Sequence, residues 1–202
     1  MRRRVTLAAI LALLAFGGFT FVAVSPSLHD IDRDVGAAVQ DARHPLLESP
    51  MRVVTFLGSG WTLALLTAVT SAMLIGRRDR MAARLPVMIL GSAVAEWLVK
   101  WLVSRPRPRG SLSAFPSGHV FTSVVFFGAV IYLLWTRDVA RPWRVVGTAL
   151  CVLLVAGVAV SRMYLKFHWL TDVLGGVAGG AAYLLIALMI ADPRPGPAPR
   201  AP

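Results

Sequence analysis

The chain has 202 residues, of which 56% are hydrophobic and 15% charged, and its mean hydropathy is +0.67. Soluble domains carry about 25% charged residues, so this composition excludes an ordinary soluble globular domain and favours a membrane protein. The net charge of +11 would also suit a nucleic-acid partner. We exclude nucleic acid because the arginines lie in short loops beside apolar segments, where they set membrane topology.

Six apolar segments have the length of transmembrane helices, which need about 20 mostly apolar residues. They cover roughly 5–24, 53–75, 85–103, 118–135, 145–161 and 170–191. We interpret the first as a retained anchor and not a signal peptide, because its apolar run is long and Pro26 occupies the position of a cleavage site. The predicted fold is an all-α bundle of six transmembrane helices. It forms one domain over 1–191, followed by a disordered cytoplasmic tail over 192–202 that is rich in proline.

The distribution of Lys and Arg predicts the orientation of this bundle. Six spans place both termini on one side, which carries 12 of the 21 basic residues, and three of the other nine belong to the motifs described below. The remaining bias of 12 to 6 predicts cytoplasmic termini in a multi-pass plasma-membrane protein. Trp101 and Trp169 then lie at the outer boundary, and Trp135 and Trp143 at the inner one, where tryptophans are enriched.

The longest predicted connection is the outer loop 25–52. Its apolar residues are spaced for one face of a helix: Leu28, Ile31, Val35 and Val39. A short helix lying on the outer membrane surface could form a lip over a site, and a solvated connector is an equally good interpretation. His29 and His44 have no supporting pattern, and we interpret both as solvent-exposed side chains.

Three motifs fall at the outer ends of the predicted spans. They are Lys100-x6-Arg107-Pro108 at the end of the third span, Pro116-Ser117-Gly118-His119 at the start of the fourth, and Ser161-Arg162-x5-His168-x3-Asp172 between the fifth and sixth. The convergence of the three motifs on one face was not used to assign the topology. It is therefore independent support for an active site at the outer membrane rim.

The second and third motifs contain residue types suited to binding and transferring an anion. Ser117 is a good N-cap residue, and Gly118 lets the backbone approach a ligand closely, so the start of the fourth span is a potential anion site. An ordinary loop-to-helix turn is the alternative. His168 and Asp172 are four residues apart, so on a helix the carboxylate can reach the imidazole and fix its tautomer. A capping pair at the membrane interface is the alternative.

Three cationic side chains, Lys100, Arg107 and Arg162, lie at or near membrane depth, where ionisable residues are costly and usually functional. Snorkelling to the interface is the alternative. Arg105 belongs to a second Arg-Pro pair, so either Arg105 or Arg107 could face the pocket. Glu96 precedes Lys100 by four residues and is the predicted ion-pair partner. No spacing indicates zinc or a two-metal site, so we expect neither a metal ion nor another cofactor.

Together the motifs resemble the signature of the type-2 phosphatidic-acid phosphatase superfamily, which includes bacterial acid phosphatases, glucose-6-phosphatase and vanadium haloperoxidases. The family pattern is Lys-x6-Arg-Pro, Pro-Ser-Gly-His and Ser-Arg-x5-His-x3-Asp, and every element is present here in order. One departure is the short gap of seven residues between Pro108 and Pro116. A gap this short fits the compact bacterial membrane phosphatases of the family.

The resemblance implies a role for each motif residue. His168 would be the nucleophile that accepts the phosphoryl group, with Asp172 activating it. His119 would protonate the leaving oxygen and then deprotonate the attacking water. The residues implied to hold the phosphate oxygens are Lys100, Arg107, Ser117, Gly118 and Arg162. The implied activity is metal-independent hydrolysis of a phosphorylated membrane lipid through a phosphohistidine intermediate.

The substrate is the least determined part of this prediction. We favour undecaprenyl diphosphate or a similar polyprenyl phosphate, because a short chain with minimal loops and an outward site fits the recycling of a carrier lipid. Phosphatidic acid or phosphatidylglycerol phosphate is the alternative. A vanadium haloperoxidase is disfavoured because those relatives are typically soluble and larger. A catalytically silent protein that binds or transports lipid is disfavoured by the intact His119, His168 and Asp172. The sequence leaves the oligomeric state open.

Overall fold

The computed structural model describes residues 2–110 and 113–192, and this part of the chain is helical. Its α-helices are α1 (Arg2–Val24), α2 (Asp30–Asp41), α3 (Pro45–Leu57), α4 (Gly60–Gly76), α5 (Met81–Val103), α6 (Gly118–Thr136), α7 (Arg141–Tyr164) and α8 (Leu170–Ala191). A single 3-10 turn, Pro26–Leu28, joins α1 to α2. The predicted all-α class is confirmed. The predicted tail lies, apart from Asp192, outside the described residues.

The predicted second span is a pair of helices and not one straight helix. Five helices, α1, α5, α6, α7 and α8, are long and apolar enough to cross a membrane, whereas α3 and α4 meet at a bend of 49°. Gly58 ends α3, and Ser59 caps α4 by accepting a hydrogen bond from the Thr62 N–H at 3.3 Å. A Cβ at Gly58 would lie 2.6 Å from Cγ1 of Val158, so the bend packs backbone directly against α7. Counted as one span, the bent pair gives the predicted total of six.

Glycines on α8 allow it to pack closely against α6. A Cβ at Gly176 would lie 2.9 Å from the Ser117 carbonyl oxygen, and one at Gly180 would lie 2.7 Å from that of Phe121. Small residues with this spacing let membrane helices approach one another closely. The contact brings the starts of α6 and α8 together, and the Ser117 N–H donates to the Asp172 carbonyl oxygen at 2.9 Å. Two of the three motifs are joined in this way.

The lateral surface of the helical bundle is apolar. Leu14 on α1 is 67% exposed, and Leu90 and Leu102 on α5 are 69% and 72% exposed. A water-soluble monomer rarely exposes contiguous apolar surface on this scale. The surface therefore fits a bundle surrounded by lipid.

The two ends of the bundle carry different polar clusters. At one end, Asp192 accepts hydrogen bonds from the Tyr132 hydroxyl at 2.8 Å and from Arg137 at 3.4 Å, and Arg137 also pairs with Asp79. The three sequence motifs all lie at the other end, because α5 and α7 end there and α6 and α8 begin there. We call this the motif end.

The segment 25–52 docks on the motif end and is not a solvated connector. It contains the predicted short helix, α2, which packs against α7 and α8, and its Asp32 is only 1% exposed. Gln40 donates to the Tyr164 carbonyl oxygen at 3.4 Å, and the His44 N–H donates to the Tyr164 hydroxyl at 2.9 Å. These contacts hold α2 and the start of α3 against the end of α7.

Candidate active site

A cavity of about 670 Å³ lies at the motif end. Its lining includes six of the eight predicted site residues: Lys100, Arg107, Gly118, His119, Arg162 and His168. The other two, Ser117 and Asp172, do not line it and are fully buried. The fold thus gathers residues from the three separate motifs around one cavity.

His168 lies in the turn between α7 and α8 and is 4% exposed. Its Nδ1 is 3.5 Å from Oδ2 of Asp172, which is longer than an ordinary hydrogen bond, and it has no hydrogen-bond partner within the described chain. Catalytic hydrogen bonds are often long in unliganded enzymes and tighten when substrate binds. Because Asp172 approaches Nδ1, Nε2 is the ring nitrogen available for chemistry.

The environment of His168 favours the neutral imidazole. Burial lowers the pKa of His168 to about 4, and the neighbouring Asp172 carboxylate opposes this shift only in part. Since the pKa lies below its ordinary value, the ring is unprotonated at neutral pH and becomes charged only as the pH falls towards 4. The nitrogen lone pair is therefore available to attack phosphorus.

The Asp172 carboxylate is fixed by donors on both of its oxygens. The Trp169 N–H donates to Oδ2 at 2.8 Å, and Nη1 of Arg105 donates to Oδ1 at 2.9 Å. The first contact belongs to the opening turn of α8, where Asp172 is the third helical residue. A carboxylate held on both oxygens has little freedom to rotate away from His168.

The structure places the arginines of the two Arg-Pro pairs differently. Arg107 lines the cavity, and its Nε donates to the Ser113 carbonyl oxygen at 3.3 Å. Its two terminal nitrogens have no hydrogen-bond partner among residues 2–110 and 113–192. Arg105 does not line this cavity; it is 4% exposed, and its guanidinium binds Asp172 and neighbouring buried side chains. Arg107 can therefore contact a ligand directly, whereas Arg105 acts on Asp172.

Arg162, in the last turn of α7, is held on two sides and keeps a donor free. Its Nη1 donates to the Thr55 hydroxyl of α3 at 2.9 Å, and its guanidinium lies 4.4 Å from the centre of the Phe167 ring. Its buried Nε has no hydrogen-bond partner in the described part of the chain. Charge-assisted hydrogen bonds from arginine suit phosphate oxygens. No pattern in the sequence singles out Thr55 or Phe167 for this role.

Lys100 and Glu96 form the predicted ion pair at the edge of the cavity. Lys100 Nζ also donates to the Pro116 carbonyl oxygen at 2.7 Å, so one of its three donors is left for a ligand. Glu96 lies beside the start of α6, where a Cβ on Gly118 would come within 2.7 Å of its Oε1. The glycine at this position lets the Glu96 carboxylate approach the helix start, a position that stabilises anions.

Several polar atoms at the site are buried without a hydrogen-bond partner among the described residues: Ser117 Oγ, Arg162 Nε and His168 Nδ1. Buried polar groups in proteins are nearly always hydrogen-bonded. Of these atoms, Arg162 Nε belongs to a residue that lines the cavity, so this donor is available to a polar ligand there. In the same part of the chain, no three His, Cys, Asp or Glu side chains are close enough to hold a metal ion.

Away from the motif residues, the cavity continues as an apolar groove between α4 and α5. The residues lining this groove are Ala64, Ala68, Pro86, Ile89, Leu90 and Ala93. Pro86 and Lys100 are fourteen residues apart on α5, which corresponds to about 21 Å along the helix. Because Leu90 is largely exposed, the groove reaches the apolar outer surface of the bundle. The cavity therefore has two parts: a cationic head, lined by Lys100, Arg107 and Arg162, and the apolar groove.

Comparison with known proteins gives a consistent set of relatives. The model of the PAP2 superfamily matches residues 109–194. Phosphatidylglycerophosphatase B of Bacillus subtilis (strain 168) is 26% identical over 163 residues, which cover 76% of this chain and 80% of that protein. The provisionally named undecaprenyl-diphosphatase YbjG of Escherichia coli (strain K12) is 40% identical over 77 residues, covering 38% of this chain and 34% of that protein.

Two solved structures share the fold. A crystal structure of a transmembrane PAP2-type phosphatidylglycerolphosphate phosphatase from Bacillus subtilis has a TM-score of 0.82 and 22% identity, covering 90% of this chain and 94% of that one. The crystal structure of Aquifex aeolicus LpxE has a TM-score of 0.63 and 22% identity, covering 77% and 93%. These similarities support the same arrangement of helices over most of this chain.

Proposed function

We propose that this chain is a membrane lipid phosphatase of the PAP2 superfamily, whose model matches residues 109–194, and that it hydrolyses phosphorylated lipids by transferring the phosphoryl group to His168. The observation that carries this proposal is the shape and chemistry of one cavity. Its head contains His119, His168 and three cationic side chains, and its remainder is an apolar groove open to the lipid-facing surface. A phosphorylated lipid has the same two parts.

The proposed reaction has two steps at one phosphorus atom. Nε2 of His168 attacks in line with the leaving oxygen, so that an N–P bond forms as the P–O bond breaks. His119 donates a proton to the leaving oxygen in this step. In the second step His119 accepts a proton from a water molecule, which attacks phosphorus, breaks the N–P bond and releases inorganic phosphate.

The charged groups around the cavity would stabilise the transition state. Lys100, Arg107 and Arg162 each retain at least one donor for the oxygens of the transferring group. The start of α6 at Gly118, which lines the cavity, would add a helix N-terminus. Ser117 remains a proposed phosphate contact through its unpaired hydroxyl, although it is buried behind the cavity lining. Fixed donors of this kind are usually the largest contribution to catalysis of phosphoryl transfer.

We further propose undecaprenyl diphosphate, or a similar polyprenyl phosphate, as the physiological substrate. The minimal connection of seven residues between Pro108 and Pro116 supports a compact carrier-lipid phosphatase. The likeness to phosphatidylglycerophosphatase B covers more of this chain than the likeness to YbjG. That broader match favours phosphatidylglycerol phosphate as the second candidate, with phosphatidic acid beside it.

Phosphate release from a panel of lipids, measured in excess EDTA, tests both the choice of substrate and the prediction that no metal ion is required. We expect the purified protein to release phosphate in excess EDTA without added magnesium, and to act faster on undecaprenyl diphosphate than on phosphatidylglycerol phosphate or phosphatidic acid. The physical reason is that three cationic side chains and a helix N-terminus already neutralise the phosphate. Activity that disappears in chelator and returns with one divalent ion would contradict the mechanism, and faster release from phosphatidylglycerol phosphate would replace the proposed substrate.

We also propose that the motif end faces the outside of the cell and that both termini are cytoplasmic. The support is the bias of Lys and Arg towards the opposite loops. Arg109 and Arg80 are exposed at the two ends, and Cys151 is buried, so single cysteines can be compared in a Cys151→Ala background. In intact cells we expect an impermeant thiol reagent to label Arg109→Cys and not Arg80→Cys. The reverse pattern would place the site in the cytoplasm and exclude substrates of the outer leaflet.

A further inference from the structure

We propose that Asp32 is a positioning residue of the active site, which acts through Arg105 to hold the Asp172 carboxylate where it can engage Nδ1 of His168. The inference rests on the proposed role of His168 as the nucleophile. Asp32 lies on α2, well outside the segment 109–194 that the family model matches. It lines a small surface pocket beside Arg105 and not the main cavity, so it would influence catalysis without touching the substrate.

One guanidinium joins the two carboxylates. Nη2 of Arg105 donates to Oδ2 of Asp32 at 2.6 Å, and Nη1 donates to Oδ1 of Asp172 at 2.9 Å. The three side chains are among the most buried charged groups in the described chain, with exposures of 1% for Asp32, 4% for Arg105 and 0% for Asp172. A charge removed from water this completely depends on its partners, so the position of each group is coupled to the other two.

Asp32 also fixes the backbone next to Asp172. Its Oδ1 accepts a hydrogen bond from the Thr171 N–H at 2.9 Å, and its Oδ2 accepts one from the Thr171 hydroxyl at 2.6 Å. Arg105 donates to the same hydroxyl at 2.6 Å. The carboxylate of Asp32 thus binds an N–H in the first turn of α8, immediately before the residue that contacts His168.

Because Arg105 binds two carboxylates, it contacts only one oxygen of Asp172. Its Nη2 donates to Asp32, and its Nη1 donates to Oδ1 of Asp172. Oδ2 of Asp172 is then left for the Trp169 N–H and for His168. Without the negative charge of Asp32, both terminal nitrogens of Arg105 are free to bind Asp172, because arginine prefers paired contacts with a carboxylate. Oδ2 would be drawn away from Nδ1.

The docking of α2 does not depend on Asp32 alone. Gln40 at the end of α2 and His44 just after it bind the end of α7 through contacts with Tyr164. A neutral side chain at position 32 is therefore expected to leave α2 in place. Its effect should appear in the chemistry at His168 and not in the binding of the phosphate.

The test compares Asp32→Asn with Asp30→Asn, the same substitution at an exposed position of the same helix turn. We expect Asp32→Asn to lower kcat about tenfold, within the range for residues of one hydrogen-bond network, with KM changed by less than about threefold. Asp30→Asn should match the wild type. An equal kcat in the two variants, or a loss confined to KM, would overturn the proposal.

A second set of variants remains decisive even if Asp32→Asn alone fails to fold. Because Asp32 is proposed to act through Arg105, adding Asp32→Asn to Arg105→Gln should change kcat by less than about twofold relative to Arg105→Gln alone. The double variant also removes one charge of each sign, which avoids an unpaired buried charge. A further large loss in the double variant would show that Asp32 acts independently of Arg105 and would overturn the proposal.

Nitrogen NMR of the histidine rings provides a readout that needs no turnover. In the wild type, Asp172 should hold the proton of His168 on Nδ1, with the signal assigned by its loss in His168→Ala. We expect Asp32→Asn to mix the two tautomers and Asp30→Asn to leave Nδ1 protonated. Unchanged tautomers in Asp32→Asn would overturn the positioning role. A wild-type protein that hydrolyses no lipid phosphate would instead contradict the proposed function, and the NMR comparison would still test Asp32.

Discussion

Replacing His168 with alanine is expected to abolish phosphate release from every lipid substrate, with a loss of at least about hundredfold in kcat. The reason is that its Nε2 is the proposed nucleophile and that, among residues 2–110 and 113–192, no other imidazole lies against Asp172. Phosphate release by purified protein in detergent, with the thermal unfolding temperature measured in parallel, provides the check. The His168 side chain is buried but makes no hydrogen bond of ordinary length within the described residues, so the unfolding temperature should change little.

His44→Asn is a matched control for this loss. His44 is an exposed histidine whose side chain accepts a hydrogen bond at the start of α3, and asparagine can make the same capping contact. We expect this variant to retain wild-type kcat. If His168→Ala kept more than about a tenth of the wild-type rate, the assignment of the nucleophile would be wrong.

Replacing His119 with alanine is expected to produce a large loss whose size depends on the leaving group. A lipid alkoxide is a poor leaving group and needs a proton, so an alkyl phosphate such as phosphatidic acid should lose about 10²–10⁴-fold in kcat. The lipid monophosphate expelled from a diphosphate and the aryloxide expelled from an aryl phosphate need less protonation, so kcat for these two substrates should fall markedly less. The measurement is kcat of the wild type and of His119→Ala for three substrates: phosphatidic acid, undecaprenyl diphosphate and an aryl phosphate.

The dependence on leaving group distinguishes an acid catalyst from a residue that only shapes the cavity. His168→Ala serves as the comparison, since removal of a nucleophile should affect all three substrates severely. An equal loss for the three substrates in His119→Ala would contradict its proposed role as the proton donor. It would leave His119 as a residue that binds phosphate or orders the start of α6.

Much of this architecture could be predicted from local sequence patterns. Long apolar segments predict the membrane helices, because a helix that crosses lipid must satisfy its own backbone and present apolar side chains. The ion pair between Glu96 and Lys100 follows from a spacing of four on one helix. The meeting of the three motifs follows from alternating helix direction, which brings the end of one span beside the start of the next.

The features that escaped prediction depend on contacts between distant parts of the chain. The bend at Gly58 reflects close packing against Val158, which no local pattern reveals. The burial of Asp32 and its link to Arg105 join residues 73 positions apart. For the packing of α6 against α8, the sequence does contain an indication. Gly176 and Gly180 are four positions apart, a spacing typical of membrane helices that pack closely.

Arg105 and Arg107 show what a motif predicts and what it leaves out. Both precede a proline, but only Arg107 has the Lys-x6-Arg spacing of the family pattern, so the sequence favours Arg107 for the cavity and predicts no role for Arg105. The tertiary structure shows where Arg105 lies: buried carboxylates of α2 and α8 bind it, while Arg107 lies on the cavity wall. The segment 25–52 thereby becomes part of the site, although it carries none of the three motifs.

The central claim is that the phosphoryl group becomes covalently attached to His168, and trapping that species tests it most directly. Substrate carrying a radioactive terminal phosphate can be mixed with excess protein and quenched within a single turnover in alkali, where phosphohistidine survives. We expect label on the protein that is stable in alkali, lost in acid, mapped to the peptide containing His168 and absent in His168→Ala. Single-turnover phosphate release with no labelled protein, or with the label on another residue, would contradict the account.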